Sequence, residues 1–386
     1  MMFFAVVVAI WILIHLYLGW RLIGPLAYPP RIKRLLWAAL TAMCLLFPLL
    51  IASRLSLPKP FYYGPLYSLT FTMASYILIL APFLLFKDAL MGLSGLIERI
   101  GGGSPDFDPE RRRALSVLLN GGIVIASGGF TVLGRAQARQ APVQRKVKII
   151  APGLSPALEG LTIAQLSDIH VSESLRRADV ERIVEITNSL SPDLIAITGD
   201  LVDGFVEEMG DDVAPLKNLS APLGVFFVTG NHEYYWDLPG WLAHAAGMGF
   251  TILNNEHRVV KRGGAKLLVA GVTDYSAWQY SPSHASDPEK AFAGARERDF
   301  TLGLAHQPRS VDAMARAGAD LTLCGHTHGG QFFPYTMVVP LIHPYPPGLS
   351  RAGEGWVHVS RGTGYWGPPN RLSAPPEITL LTLTKA

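Results

Sequence analysis

The chain has 386 residues, of which 49% are hydrophobic, and its mean hydropathy of +0.27 is high for a soluble protein. The formal net charge of +3 divides unevenly, because residues 1–145 carry a balance of +9 and the remaining residues a balance of −6. The negative balance argues against a nucleic-acid groove in the second part, since such grooves need a basic surface. Two cysteines, Cys44 and Cys324, are too few to imply a disulfide framework.

Four uncharged apolar stretches precede residue 135, at about 2–20, 35–53, 66–86 and 114–134. Each is close to the ~20 residues that a helix needs to cross ~30 Å of hydrocarbon. The fourth gives the weakest signal, because it contains Asn120 and two pairs of glycines. The sequence therefore predicts an all-α transmembrane region with four helices over residues 1–135, with the lipid bilayer as a partner.

The distribution of Lys and Arg predicts the orientation of these helices. Basic residues are concentrated in the first and third loops, which places those loops in the cytoplasm. The N-terminus and everything after the fourth helix are then outside, although the basic residues at 135–148 oppose this orientation. Arg111-Arg112-Arg113 before the fourth helix and Ala136-Gln137-Ala138 after it allow two interpretations, an internal twin-arginine export signal or an uncleaved helix. Both predict a multi-pass protein of the inner or plasma membrane with an extracytoplasmic C-terminal domain.

From about Val147 the pattern changes to short apolar runs bounded by turn residues, which are typical of strands. Helical patterns at Arg176–Leu190, Trp241–Met248 and Arg309–Ala317 separate several of them. The alternation predicts an α/β layered domain over residues 148–386, joined to the membrane region by a basic tether at 136–147. The predicted strands are Lys148–Ala151, Leu161–Leu166, Asp193–Thr198, Gly224–Thr229, Lys266–Ala270, Phe300–Ala305, Leu321–Cys324, Trp356–Ser360 and Ile378–Thr384.

Five polar clusters follow the ends of predicted strands. They are Asp168-Ile169-His170, Gly199-Asp200, Gly230-Asn231-His232-Glu233, His306, and the run Gly325-His326-Thr327-His328-Gly329-Gly330-Gln331. Taken singly, the Asp-x-His and Gly-Asp patterns are most often turns or surface ion pairs. Together they supply carboxylate, amide and imidazole groups at the sheet edge where α/β folds place ligands. This combination predicts a site for two metal ions that clamp the oxygens of a phosphoryl displacement.

These clusters, in this order, resemble the signature of the calcineurin-like metallophosphoesterases over residues 147–386. The membrane helices and the closing Gly-Gly-Gln are similar to those of the membrane-anchored bacterial branch, some of whose members are related to enzymes that cleave UDP-2,3-diacylglucosamine. The resemblance implies a four-layer β-sandwich flanked by helices. It also implies a first metal held by Asp168, His170, Asp200 and His328, and a second metal held by Asp200, Asn231, His306 and His326.

The resemblance further implies a metal-bridging hydroxide as the nucleophile and gives His232 a proton-transferring role instead of a metal. Asp203 would orient His232 or a ligand; the alternative is that it caps a helix or turn. The nitrogen and oxygen ligands suit Mn, Fe or Zn, and the sequence does not choose among these metals. Several loop tryptophans and tyrosines, Trp366 among them, are either an apolar lip facing lipid or substrate or ordinary loop anchors.

The predicted function is that of a membrane-anchored phosphoesterase that hydrolyses phosphodiester, pyrophosphate or phosphomonoester bonds. The four-helix anchor favours a lipid-linked substrate. A soluble nucleotide or wall-derived phosphate is the first alternative, and a catalytically silent sensor or scaffold is the second. The sequence leaves the oligomeric state open.

Overall fold

The computed structural model describes residues 2–54, 63–100, 109–295 and 298–386. The chain divides into two compact units, Met1–Arg135 and Ala136–Ala386. We call the first the helical unit and the second the sheet unit. The division follows the change of pattern in the sequence, from long apolar stretches to short strands and helices.

The described residues of the helical unit form four long helices: α1 Met2–Leu18, which continues as a π-helical segment over Gly19–Ile23, α2 Pro30–Arg54, α3 Tyr63–Ile100 and α4 Pro109–Ala138. Each contains a stretch long and apolar enough to cross a membrane. Leu13, Leu49 and Ile125 are 63%, 63% and 77% exposed, as lipid-facing side chains are. All but the first of these helices extend past both ends of the predicted spans, because hydropathy marks only the apolar part of a helix while Lys, Arg and Glu can prolong it.

Asn120, which weakened the fourth predicted span, is buried within the helical unit. Its side-chain oxygen accepts a hydrogen bond from Lys87, and its amide donates to the backbone oxygen of Arg21 at 3.0 Å. Polar groups in an apolar helix are tolerated when they find partners on neighbouring helices. The asparagine therefore connects α4 to α3 and to the end of α1.

Twelve strands form two mixed six-stranded sheets in the described part of the sheet unit. The first sheet has the order β1-β12-β2-β3-β4-β5 and the second the order β10-β11-β9-β8-β7-β6. The strands are β1 Val143–Ala151, β2 Thr162–Leu166, β3 Leu194–Ile197, β4 Val225–Phe227, β5 Thr251–Ile252, β6 Glu256–Arg262, β7 Ala265–Gly271, β8 Phe300–Leu304, β9 Leu321–Cys324, β10 Gly348–Ala352, β11 Gly355–Val359 and β12 Glu377–Lys385. Strands β2 to β5 are mutually parallel, and so are β7, β8, β9 and β11.

Seven helices accompany the sheets: α5 Arg177–Ser189, α6 Val206–Val213, α7 Asn231–Trp236, α8 Leu238–Gly247, α9 Pro288–Phe292, α10 Val311–Ala317 and α11 Tyr335–Ile342. Residues of β2 alternate between two cores, as side chains of a strand do. Ile163 packs in the core between the two sheets, whereas Ala164 packs in the core that α5, α6 and α8 cover. Helices α9 and α10 cover the outer face of the second sheet. The resulting order of helices, sheet, sheet and helices confirms the predicted fold class.

The region predicted as a tether, residues 136–147, differs from the structure at both ends. Helix α4 continues to Ala138, and β1 begins at Val143 and pairs in parallel with β12. The side chain of Arg145 forms an ion pair with the buried Glu377 at 2.5 Å. The first half of β1 was not recognised because β1 is an edge strand with one exposed face, so this half carries charged residues and lacks an apolar run.

Candidate metal centre

The polar clusters of the sequence meet where parallel strands of the two sheets end. Asp168 and His170 follow β2, Asp200 follows β3, and Asn231 and His232 follow β4. In the second sheet His306 follows β8, and His326 and His328 follow β9. Each of these seven metal-capable residues and His232 is buried or nearly so. The structure thus brings together all the residues that were predicted to bind metal, at the predicted edge of both sheets.

Unusual backbone geometry marks this edge. Nine non-glycine residues have positive φ among the described residues, and five of them are candidate metal ligands: Asp168, His170, Asp200, His326 and His328, with φ between 49° and 69°. Such conformations cost a residue with a side chain of the order of 1 kcal/mol and concentrate at functional sites. The strain aims these side chains into one shared space.

One group of candidate ligands consists of Asp168, His170 and His328, whose donor atoms all lie within 4.8 Å of one another. The Nε2 atoms of His170 and His328 are 3.1 Å apart. The Nε2 of His328 is 3.4 Å from Oδ1 of Asp168. Three lone-pair donors therefore converge on one point.

A second group consists of Asp200, His306 and His326. Nε2 of His306 lies 3.2 Å from each of three atoms: Oδ2 of Asp200, Nδ1 of His326 and Oδ1 of Asn231. The same Oδ2 of Asp200 is 3.7 Å from Nε2 of His170, which belongs to the first group. Asp200 is therefore the carboxylate that both groups share.

His232 lies beside the shared carboxylate and forms a third metal-capable group with His170 and Asp200. Its Nε2 is 3.9 Å from Oδ2 of Asp200, and its Nδ1 is 2.5 Å from Oδ1 of Asp203. The same Asp203 oxygen is 3.2 Å from Nδ1 of His170. Asp203 thus contacts the outward-facing nitrogens of both rings and sets the orientation of each, as carboxylates commonly do behind metal-binding histidines.

The charges of the cluster favour a bound cation. Burial lowers the pKa of His326 to about 3 and that of His328 to about 4, so both imidazoles are neutral and offer lone pairs near pH 7. Burial also acts to lower the pKa of His232, but the charges of Asp200 and Asp203 outweigh it and raise that pKa to about 9. The carboxylates of the cluster therefore attract positive charge strongly enough to hold a proton on a buried ring.

Two buried residues that support the cluster were not among the predicted site residues. Glu233 accepts hydrogen bonds from the backbone N–H groups of Gly230, Asp200 and Leu201, at 2.6, 3.1 and 2.7 Å. Glu233 is the third residue of α7 and accepts from the backbone N–H of Gly230 at the N-cap, which is the half of a capping box that needs no N-cap side chain; this spacing was the available signal. Arg371 is fully buried and has its Nη2 3.1 Å from Nδ1 of His328; nothing in the local sequence indicated this contact.

Aromatic side chains border the site on the side of His232. The ring centroids of Tyr235 and Trp366 lie 4.9 and 5.6 Å from that of His232. Tyr280 packs against Tyr235 at 5.4 Å. All three aromatic residues are about half exposed, so they line an open rim beside the buried donors.

The comparisons with known proteins agree with this geometry. The sequence profile of the calcineurin-like phosphoesterase family matches residues 161–330. An uncharacterized metallophosphoesterase of Helicobacter pylori is 36% identical over 300 residues, which are 77% of this chain and 78% of that protein. The chain belongs to the calcineurin-like phosphoesterase family. All nine predicted site residues of this phosphoesterase lie within the matched range, whereas α11, Trp366 and Arg371 lie outside it.

A transmembrane protein with metallophosphoesterase domain from Danio rerio is 37% identical over 271 residues, covering 68% of this chain and 62% of that relative. The phosphoesterase therefore spans less than two thirds of the length of this animal relative. Among solved structures, a 5′-nucleotidase precursor from Thermus thermophilus overlaps 57% of this chain and 54% of its own, with a TM-score of 0.38 and 21% identity. The family hydrolyses phosphoric esters and uses divalent metals, in agreement with the predicted enzyme class.

Proposed function

We propose that the chain is a membrane-anchored, dinuclear metal-dependent phosphoesterase. The observation that carries this proposal is the position of Asp200, whose Oδ2 lies 3.2 Å from His306 and 3.7 Å from His170, between two converging groups of donors. A carboxylate has enough lone pairs to serve two cations at once. Buried carboxylates and imidazoles that face one another at such distances are stabilised when cations lie between them.

The donor set fits two divalent ions. Ring nitrogens of His170 and His328 lie 3.1 Å apart, and those of His306 and His326 lie 3.2 Å apart. Two ring nitrogens this close need a proton or a cation between them. We assign the first ion to Asp168, His170, Asp200 and His328, and the second ion to Asp200, Asn231, His306 and His326.

When bound, two divalent ions would lower the pKa of water to about 7 and neutralise the charge of a phosphoryl group. Imidazole-rich sites with carboxylate and amide oxygens suit Mn²⁺, Fe or Zn²⁺ better than Ca²⁺ or Mg²⁺. The residues of the chain would hold such ions firmly, because their backbone is anchored at strand ends and the outward nitrogens of their rings are bonded in turn. Nδ1 of His306, for example, lies 2.7 Å from the backbone oxygen of Thr198.

His232 is proposed to transfer a proton to the leaving oxygen of the ester. Its Nδ1 is held by Asp203, which leaves Nε2 directed toward the shared carboxylate and the space above it. Burial lowers the pKa of His232, but the charges of Asp200 and Asp203 raise it by more, so these two carboxylates favour the protonated ring. A positioned general acid of this kind contributes about 10²–10⁴-fold to a rate. Asp203 acts through the two histidines that it contacts and is a positioning residue.

The substrate is proposed to be a phosphodiester or pyrophosphate linked to a lipid. Four candidate membrane spans hold the phosphoesterase at a bilayer, and exposed aromatic rings border the site. A soluble nucleotide or wall-derived phosphate is the alternative, and both substrates use the same residues. A silent scaffold is disfavoured because every residue of the proposed ligand set is present.

Purified protein loaded with Mn²⁺ should hydrolyse bis-p-nitrophenyl phosphate. Asp200→Asn should abolish turnover, and His232→Ala should reduce it by about 10²–10⁴-fold, because the first removes a shared ligand and the second a proton donor. His257→Ala is the matched control, since His257 lies on β6 and contacts the backbone of Ala291. Equal turnover by the wild type and the two site variants would contradict the proposed site.

The same preparation distinguishes the substrate classes. We expect a phosphodiester embedded in lipid vesicles to be cleaved with a higher kcat/KM than its water-soluble analogue. A preference for the soluble analogue would favour the alternative substrate while leaving the metal site intact.

A further inference from the structure

Helix α11 exposes apolar side chains that nothing in the sheet unit covers among the described residues. Met337, Val338, Leu341 and Ile342 are 65%, 46%, 83% and 66% exposed. The last three follow Met337 by one, four and five residues, so all four side chains lie on one side of the helix. We call these four residues the α11 apolar face.

The surroundings of α11 are unusually free of charge. From Gly329 to Ser350 the chain contains no Asp, Glu, Lys or Arg, although 46 of the 251 residues of the sheet unit are charged. None of the eight residues of α11 is buried. A helix with mainly apolar residues and none of them buried gains little from the fold around it, and exposed apolar patches of this kind are often functional.

Helix α11 lies close to the candidate metal centre. His343 follows the helix directly, and its ring centroid is 6.3 Å from that of His326. On the other side of the same loop, the side chain of Gln331 donates to the backbone oxygen of Trp366, whose ring is 5.6 Å from His232. Residues on either side of α11 are therefore in contact with the surroundings of both His326 and His232.

We propose that the α11 apolar face docks onto the lipid bilayer that holds the chain's own membrane helices. An eight-residue helix is about 12 Å long, which is far too short to span a membrane but suits a helix that lies in the interface. Such helices bury their apolar face about 5–10 Å into the boundary between headgroups and acyl chains. Tryptophan is enriched at the same depth, and Trp366 is 52% exposed.

The bilayer is favoured over a second copy of the chain for two reasons. Four side chains of this size cover roughly 400 Å², about half of the ~800 Å² that each partner of a stable protein interface buries. The chain also carries its own four candidate spans, and only residues 139–142 separate α4 from β1. The membrane helices therefore keep the bilayer close to the sheet unit at all times. At such a high effective concentration, a small apolar face is enough for binding.

This inference rests on the membrane anchor and not on the proposed chemistry. The test uses the full chain in nanodiscs of phosphatidylcholine that hold one copy each, with the reporter variant Leu341→Cys labelled with the fluorophore NBD. Leu341 is 83% exposed, so the label displaces no packed side chain. The native Cys44 and Cys324 are both buried, and unsubstituted protein provides the labelling background.

We expect roughly a twofold loss of NBD emission at position 341 when lipids with doxyl groups on the acyl chain are included, because an interfacial face lies about 5–10 Å deep. Val259→Cys is the matched control; this exposed valine lies on β6, at the opposite edge of the second sheet from β10. It should lose little emission. Hydrolysis of bis-p-nitrophenyl phosphate is recorded on the same samples, so a failure of the catalytic proposal is seen separately.

Two results would overturn the docking surface. A blue-shifted label at position 341 that the doxyl lipids do not quench would mean that protein, and not lipid, covers the α11 apolar face. Equal quenching at positions 341 and 259 would mean that the contact with lipid is not specific to this helix.

Discussion

The carboxylate of Glu233 illustrates how single buried residues hold the candidate metal centre in place. It is fully buried and accepts three backbone N–H groups, from Gly230, Asp200 and Leu201. Burial, reinforced by the charge of Asp200, raises its pKa to about 7. As a carboxylate, Glu233 accepts hydrogen bonds through both oxygens and joins the loop after β3 to the start of α7. The position of the shared Asp200 therefore depends on a residue that is not itself a donor to the metals.

Glu233→Gln should weaken metal binding without removing a ligand. An amide has only one oxygen, so at least one buried N–H loses its acceptor, at a cost of about 1–3 kcal/mol. We expect a lower melting temperature and a metal content that falls at low metal concentration and recovers at high concentration. Glu256→Gln, at an exposed glutamate paired with Arg258, is the matched control. Unchanged metal affinity in Glu233→Gln would show that the loop does not need this carboxylate.

At this scale the sequence indicates the donors better than the residues that support them. Asp168, His170 and the pair His326 and His328 stand in short local patterns, and local spacing survives in the structure. The contacts of Asp203 with His170 and His232 join residues 33 and 29 positions apart, and only the family resemblance indicated them. The contact of Arg371 with His328 spans 43 positions. Such pairings depend on the fold and leave no periodic signal in one sequence.

At the scale of elements, the centre depends on how closely the ends of β2 and β9 approach. The backbone N–H of His326 donates to both oxygens of Asp168, at 2.9 and 3.1 Å. A Cβ atom at Gly325 would lie 2.0 Å from Oγ of Ser167 and 2.1 Å from Oδ2 of Asp168. Glycine is therefore required at this point so that the two sheets can bring their ligands together.

Gly325→Ala should displace Asp168 and reduce both metal binding and hydrolysis by at least tenfold. Overpacking of this kind also destabilises a protein by about 1–3 kcal/mol. Gly247→Ala, at the end of α8 where an added Cβ meets nothing within 4 Å, is the matched control and should leave both properties unchanged. Thermal unfolding and hydrolysis of the two variants provide the measurement. Similar behaviour of the two variants would argue against the close approach.

The sequence predicts elements well where they are buried on both faces. Strands β2, β3, β8 and β9 lie within one residue of their predicted ends, because central parallel strands are continuous apolar runs. Strands β5, β6 and β10 were not predicted. Strand β5 has only two residues, and β6 and β10 are edge strands with charged or half-exposed residues. The missed first half of β1 has the same cause, since exposed edges lack the apolar pattern.

At the scale of the whole molecule, the proposal places a metal-dependent site beside a bilayer. The basic loops predict that the N-terminus and the sheet unit are outside the cytoplasm. The described helices contain four candidate spans. Because four is an even number, both ends of the helical unit would be on the same side of the membrane if all four spans cross it. The side itself depends on the charge bias of the loops.

Alkaline-phosphatase fusions test this orientation. The alkaline phosphatase reporter is active only outside the cytoplasm. A fusion at about Gln140, just after α4, should therefore be active, and a fusion at about Gly102 should be inactive. Equal expression of the two fusions, measured by immunoblot, is the control. The reverse pattern of activity would place the phosphoesterase in the cytoplasm and leave its chemistry unaffected.

The most direct test of the central claim is the metal content of the purified full chain. After loading with Mn²⁺ and removal of free metal, mass spectrometry should find about two ions per chain in the wild type and in His232→Ala, and about one or fewer in Asp200→Asn. This pattern would separate the shared ligand from the proton donor. A wild-type chain that hydrolyses bis-p-nitrophenyl phosphate but retains no more metal than Asp200→Asn would contradict the dinuclear centre.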